Sequence, residues 1–298
     1  MYGDPVPPLP EIDPDLIRLC QEQGRCTGLL FEWYKHVGLL AITAASIDRG
    51  SPGLRAVQPV HYFALRGLLT RCARLMLANI RLTCDATYGE TMNLLGRCIW
   101  ESAAMVQWLC QTDHDRRFQR FLADALKKDL LLKAESDANL QTRGGALLKI
   151  ETRMLRSIEK CVKSSGLTEN EIRDAKRIPP FDQVLRDIEQ EHMYMAVQRL
   201  GSHSIHGTWT ALVVDYLEDE GGELLPRDCT VEPHPNQYTF GSLAVLDAIL
   251  AFLRYVSVDE ATIAPFLDRL REVRDEIQSA NSALVGDDFA HASVSSSK

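Results

Sequence analysis

At 298 residues the chain is long enough for one large domain or two small ones with a substantial buried core. Its 45% hydrophobic and 25% charged residues are those of a globular protein rather than a disordered one. A formal charge of −8 excludes a non-specific nucleic-acid coat, which needs a basic footprint, but leaves room for a small local phosphate site.

Helical periodicity dominates from end to end, and no stretch alternates in the manner of paired strands, so the expected class is all-α, a multi-helix bundle. Residues 1–13 read as a disordered or extended, proline-rich arm. Helices are expected at about 14–23 and 29–47, a break at "DRGSPG" (48–53), then helices at about 58–84, 90–110 and 115–137. "QTRGG" (141–145) interrupts the pattern, after which 146–165 supplies another helix closed by Gly166. Thr168 and Glu171 form a T-x-x-E capping box for a short helix ending near "RIPP". Pro180 opens "FDQVLRDIEQEHMYMAVQRL", which is expected to continue as a helix into "GSHSIHGTW". An irregular insert at 218–237 precedes two last helices, at about 239–256 and 259–283, and the tail from 285 to 298 reads as disordered. The segment 14–284 is expected to be one helical domain.

The eight cysteines include no C-x2-C pair, and five sit in apolar helical stretches, so they read as reduced core residues. No apolar run is read as a membrane span, and the acidic, proline-rich N-terminus is unlike a signal peptide. A cytoplasmic protein without membrane association is the expectation.

Two segments carry candidate chemistry. "ETMNLLGRCIWESAAMVQWLC" is apolar almost all round, yet Arg97 and Glu101 share one face of it with Leu94, Met105 and Trp108. Desolvated there, the two charges must be paired: either as an intrahelical ion pair that fixes register, or as the charged floor of a site. The second segment is "RLGSHSIHGTW". On one helix, Arg199, His203, His206 and Thr210 would form a polar stripe, with Arg199 and His206 about 10 Å apart along the axis. Arginine can hold phosphate oxygens bidentately, and histidine can move protons to and from ribose and phosphate-ester oxygens, which suffices for metal-independent RNA cleavage. Gly201 and Gly207 make the alternative a helix start with Ser202 as N-cap, placing His203 and His206 in the first turn.

The segment 66–137, followed by "YMAVQRLGSHSIHG", resembles an uncharacterised family of all-helical bacterial proteins that carries an R-x3-E helix and a later S-x3-H-G helix. The matching residues are Arg97 and Glu101, then Tyr194, Arg199, Ser202, His206 and Gly207. The R-x6-H arrangement also resembles HEPN domains, helical bundles of toxin and antiviral systems that cleave RNA. That resemblance implies Arg199 as phosphate ligand, His206 as general acid/base, Ser202 and His203 as further catalytic residues, and Arg97, Glu101 and Tyr194 as their support. It departs from HEPN domains at Leu200, where a polar residue usually follows the arginine. It further implies an RNA substrate, a homodimer and a regulatory or antitoxin partner, with no cofactor and no metal. The basic residues Arg116, Arg117, Arg120, Lys127 and Lys128 are candidate RNA contacts.

Two other functions compete. A non-catalytic helical binding or dimerisation module would use the same residues only to specify its fold. A metal-dependent phosphohydrolase would need His61, His114, Asp115 and Asp215 to converge, while Glu189 and His192 supply only one of the two E-x-x-H copies of a di-iron bundle.

Overall fold

Each apolar periodic stretch folds into a helix, and local capping chemistry marks several of the ends. A computed structural model describes residues 6–195, 200–227 and 229–285. Asp13 accepts the Asp15 amide at 2.9 Å and Pro14 opens α1 (Pro14–Gln23). Next come α2 (Thr27–Ser46), α3 (Pro59–Thr83), α4 (Gly89–Leu109), α5 (His114–Thr142) and α6 (Lys149–Ser165). The expected capping box opens α7 (Glu169–Asp174): Glu171 accepts the Thr168 amide at 2.7 Å, and Thr168 accepts the Glu171 amide at 3.2 Å. After α8 (Phe181–Asp187) and α9 (Leu200–His206) come a short α10 (Trp209–Ala211) and a π-helical turn (Leu212–Tyr216), and then β1 (Leu217–Glu220) and β2 (Glu223–Pro226). α11 (Pro235–Val256) and α12 (Glu260–Val285) complete the described chain.

α4 occupies the centre, packed against α3 and α11, while α2 closes the layer by touching both of those. Trp108, Tyr34, Tyr62, Phe118 and Phe252 are among the largest fully buried side chains, and they knit these helices into one core. α12 and α1 cover the outer side of α2, whereas α5 carries α6 and α7 away from the centre. Residues 6–13 form neither helix nor strand, and Val6, Leu9 and Ile12 pack on the core.

The structure corrects five expectations. Residues 217–226 form an antiparallel hairpin, because Gly221 and Gly222 adopt φ of 69° and 95°, which a tight two-residue turn requires. The helix begun at Phe181 stops at Asp187: Glu189 takes a left-handed φ of 59°, and the Gln190 amide closes the turn on the Leu185 carbonyl at 2.8 Å. Cys20 and Cys26 are joined in a disulfide that ties the end of α1 to the start of α2. Cys84, Cys161 and Cys229 are exposed rather than core residues. Finally, α11 is long and apolar enough to cross a membrane, with a mean hydropathy of 1.5, although 61% of its most apolar stretch is buried inside the fold. That is the pattern of a core helix; its Asp247 is paired with Arg274 of α12. The tail expected to be disordered lies, from residue 286 on, outside the described residues.

Candidate functional site

α4 positions the first half of the site. Four residues apart on one helix face, Arg97 donates through Nε to Glu101 Oε1 at 2.8 Å. The Arg97 side chain is only 14% exposed, so its remaining donors also need partners. One of them is found across the helix interface: Arg97 Nη1 donates to the Ser202 hydroxyl on α9 at 2.8 Å. The two motifs, 105 residues apart in sequence, thus meet in one hydrogen-bonded cluster.

α9 ends at Gly207, whose φ is +55°, and Thr208 binds back to the helix through its amide on the His203 carbonyl at 3.2 Å. His203 Nδ1 lies 2.8 Å from the Thr208 hydroxyl, a contact that uses the ring to hold this turn. His206, the last residue of α9, is exposed and makes no hydrogen bond among the described residues. Tyr194 is half-buried against the core. Arg199 lies outside the described residues. The expected stripe is corrected on one point and the N-cap on another: Thr210 sits beyond the break at Gly207, and Ser202 lies within α9 with its hydroxyl turned to Arg97.

Beside Arg97 opens a cavity of about 670 Å³, which nothing in the sequence pattern announces. Its wall joins the start of α4 to the irregular segment before α11. Gly89 makes this approach possible, since a Cβ there would stand 2.5 Å from the Glu232 carbonyl oxygen. The Gly89 amide donates to the Val231 carbonyl at 2.7 Å, and Gln237 Nε2 donates to the Gly89 carbonyl at 2.8 Å. Glu90, only 7% exposed, accepts the Val231 amide at 3.1 Å. Burial and the nearby Glu90 charge raise the Asp215 carboxyl above the usual carboxylate range, with Arg227 opposing them.

The candidate basic face is largely spent on structure. Arg117 lies 4.8 Å over the Trp108 ring and donates to the Trp108 carbonyl, Arg120 donates to the Arg177 carbonyl at 2.9 Å, and Lys127 donates to the Ala175 carbonyl. Arg116 pairs with Asp113 at 3.8 Å, and Lys128 is exposed. These contacts lock α5 onto α4, the end of α7 and the loop after it, so the cluster is a seam more than a free RNA-binding surface. Asp187 was not foreseen either: it accepts the Trp108 indole N–H and the Gln183 amide, both at 2.8 Å. Burial alone would raise this carboxyl, but those two bonds and the charges of Arg117 and Arg120 hold it below the usual range.

Of the residues a phosphohydrolase would need, Asp115 Oδ1 lies 3.7 Å from His61 and 4.0 Å from His114, but His61 is buried and stacked on Phe118 at 3.9 Å. Asp215 lines the separate cavity beside Arg97. Glu189 occupies the left-handed turn after α8, and His192 is exposed. Among the described residues no group of three or more His, Cys, Asp or Glu side chains is arranged to hold a metal ion.

Fold and site together define an all-α protein in which an R-x3-E helix clasps a later S-x3-H-G helix. The chain belongs to the DUF5677 family, a family of unknown function, whose model matches residues 62–224, from α3 through the hairpin. No curated protein and no solved structure matches it.

Proposed function

We propose that this protein is a metal-independent endoribonuclease of the HEPN type, a cytoplasmic effector of a toxin or antiviral defence system. The observation that carries the reading is the Arg97–Ser202 hydrogen bond, which ties the R-x3-E helix to the helix bearing His206. Because Ser202 accepts from a cation, its own hydroxyl proton is left for donation, which suits a phosphate oxygen. Exposed His206 then has substrate access. It takes the proton of the ribose 2′-hydroxyl as the 2′-oxygen bonds to phosphorus, and it returns a proton to the departing 5′-oxygen. Arg199 is assigned to the phosphate oxygens. Arg97 and Glu101 are positioning residues acting through Ser202, and His203 holds the turn that follows.

The face beside His206 favours a homodimer. Trp209 is 66% exposed and Val214 59%, with Ile205, Leu212 and Tyr216 also open, so the segment around His206 leaves apolar side chains for a second copy or a regulatory partner to cover. The same face would serve a non-catalytic binding or dimerisation protein, and one experiment separates the two. Purified full-length protein is incubated with structured and single-stranded RNAs in EDTA, beside His206→Ala and Arg199→Ala. Cleavage leaving 2′,3′-cyclic phosphate ends, lost in both folded variants, is expected. RNA left intact by a folded dimer, with and without divalent metal, removes the nuclease reading and leaves the binding module.

A further inference from the structure

The cavity beside Arg97 is lined by acids and aromatic rings. Glu90, Asp215 and Glu232 contribute carboxylates, while Trp100, Phe240 and Met92 supply apolar walls. Its positive charge is already committed: the Arg97 guanidinium is paired with Glu101 and bonded to Ser202. His234 is occupied in capping α11, accepting the Asn236 amide at Nδ1 at 3.2 Å. A buried carboxylate with room beside it is the second observation. Glu90 is more than nine-tenths buried, its Oε2 takes the Val231 amide, and no hydrogen bond to Oε1 occurs among the described residues. Burying acidic groups together is costly, and burial and the neighbouring Glu90 raise the Asp215 carboxyl even with the Arg227 charge opposing them.

We infer that this cavity is a binding site for a small organic cation, a primary ammonium carried on an aromatic or bulky apolar body. The ammonium would satisfy Glu90 and Asp215, and the apolar body would lie against Trp100 and Phe240, where cation–π attraction adds to burial. A phosphorylated or carboxylated ligand is disfavoured by the same three carboxylates. The inference stands apart from RNA cleavage, although Arg97 borders both places and a bound cation would sit next to the Arg97–Ser202 link.

The test uses the full-length protein, without RNA, in isothermal titration calorimetry with phenethylamine, its anionic counterpart 3-phenylpropionate, and guanosine. Saturable 1:1 binding of phenethylamine with a Kd below about 1 mM is expected, with no binding of 3-phenylpropionate. Glu90→Gln keeps an oxygen for the Val231 amide, and Asp215→Asn lies on the half-exposed π-helical turn. Each variant, its fold checked by circular dichroism, should weaken phenethylamine about tenfold or more, as expected when a charge-assisted hydrogen bond becomes a neutral one. Absence of phenethylamine binding, equal binding by both folded variants, or guanosine binding in its place would overturn the inference.

Discussion

Replacing Arg97 with Met keeps an apolar stem of similar reach and removes the guanidinium; replacing Ser202 with Ala removes its acceptor. A hydrogen bond to a charged group is worth about 1.5–3 kcal/mol, and the 2.8 Å Arg97–Ser202 bond leaves from a side chain only 14% exposed. The Glu101 partner is 37% exposed, so its ion pair with Arg97 adds only about 0.5 kcal/mol after solvent screening. Ser202→Ala is therefore expected to cost about 1.5 kcal/mol and Arg97→Met about 2 kcal/mol. The double variant should cost less than the sum by about 1 kcal/mol or more, because both single changes remove the same bond. Urea unfolding of the four proteins gives the coupling, and amide exchange across residues 200–206 shows whether α9 loosens. Strict additivity, within about 0.3 kcal/mol, would mean that the two helices are held together by packing alone and that the motif halves do not form one coupled site.

Two further predictions concern stability. His36 is buried, 4% exposed, with no partner for Nε2 among the described residues, and burial followed by the Arg269 charge lowers its pKa from 6.5 to about 4. The unfolded chain binds this proton before the folded one does. Stability from this group is thus complete above about pH 6.5, falls as the pH drops towards 4, and levels off below, with a total loss of about 3 kcal/mol. Subtracting the pH profile of His36→Leu isolates the effect from carboxylate titration, and coincident slopes between pH 6.5 and 4 would disprove it. The Cys20–Cys26 bond closes a short loop, so its reduction should cost about 2 kcal/mol of unfolding free energy. Thiol titration of unreduced, unfolded protein should find the six free cysteines; eight would show that the bond does not form. A reducing cytoplasm normally keeps such bonds open, so this titration on protein taken from cells also bears on the compartment.

Helix identity was legible because it is local. Apolar spacing, Pro14 at a helix start, Gly166 at an end and the Thr168–Glu171 box all act within a turn or two of the chain, and the structure shows them where the pattern puts them. Arg97 and Glu101 were legible for a related reason, since two charges on an otherwise apolar helix must find partners wherever that helix packs. The partner was another matter: Ser202 is 105 residues away, and only the crossing of α9 over α4 selects it. The break after α8 depends on a left-handed Glu189 whose neighbour Gln190 bonds to Gln107 and Asp247 on other helices, so local propensity alone argued for continuation. The cavity is tertiary altogether. It exists because Gly89 lets the chain at Glu232 come within reach and because Glu90 is buried by that approach. Interactions that repeat every turn thus specify the class of fold and the residue types of the site from the chain's order alone. Which of those residues touch, and the acidic cavity beside them, was decided by long-range packing, because a contact between distant segments leaves no periodic mark on either one.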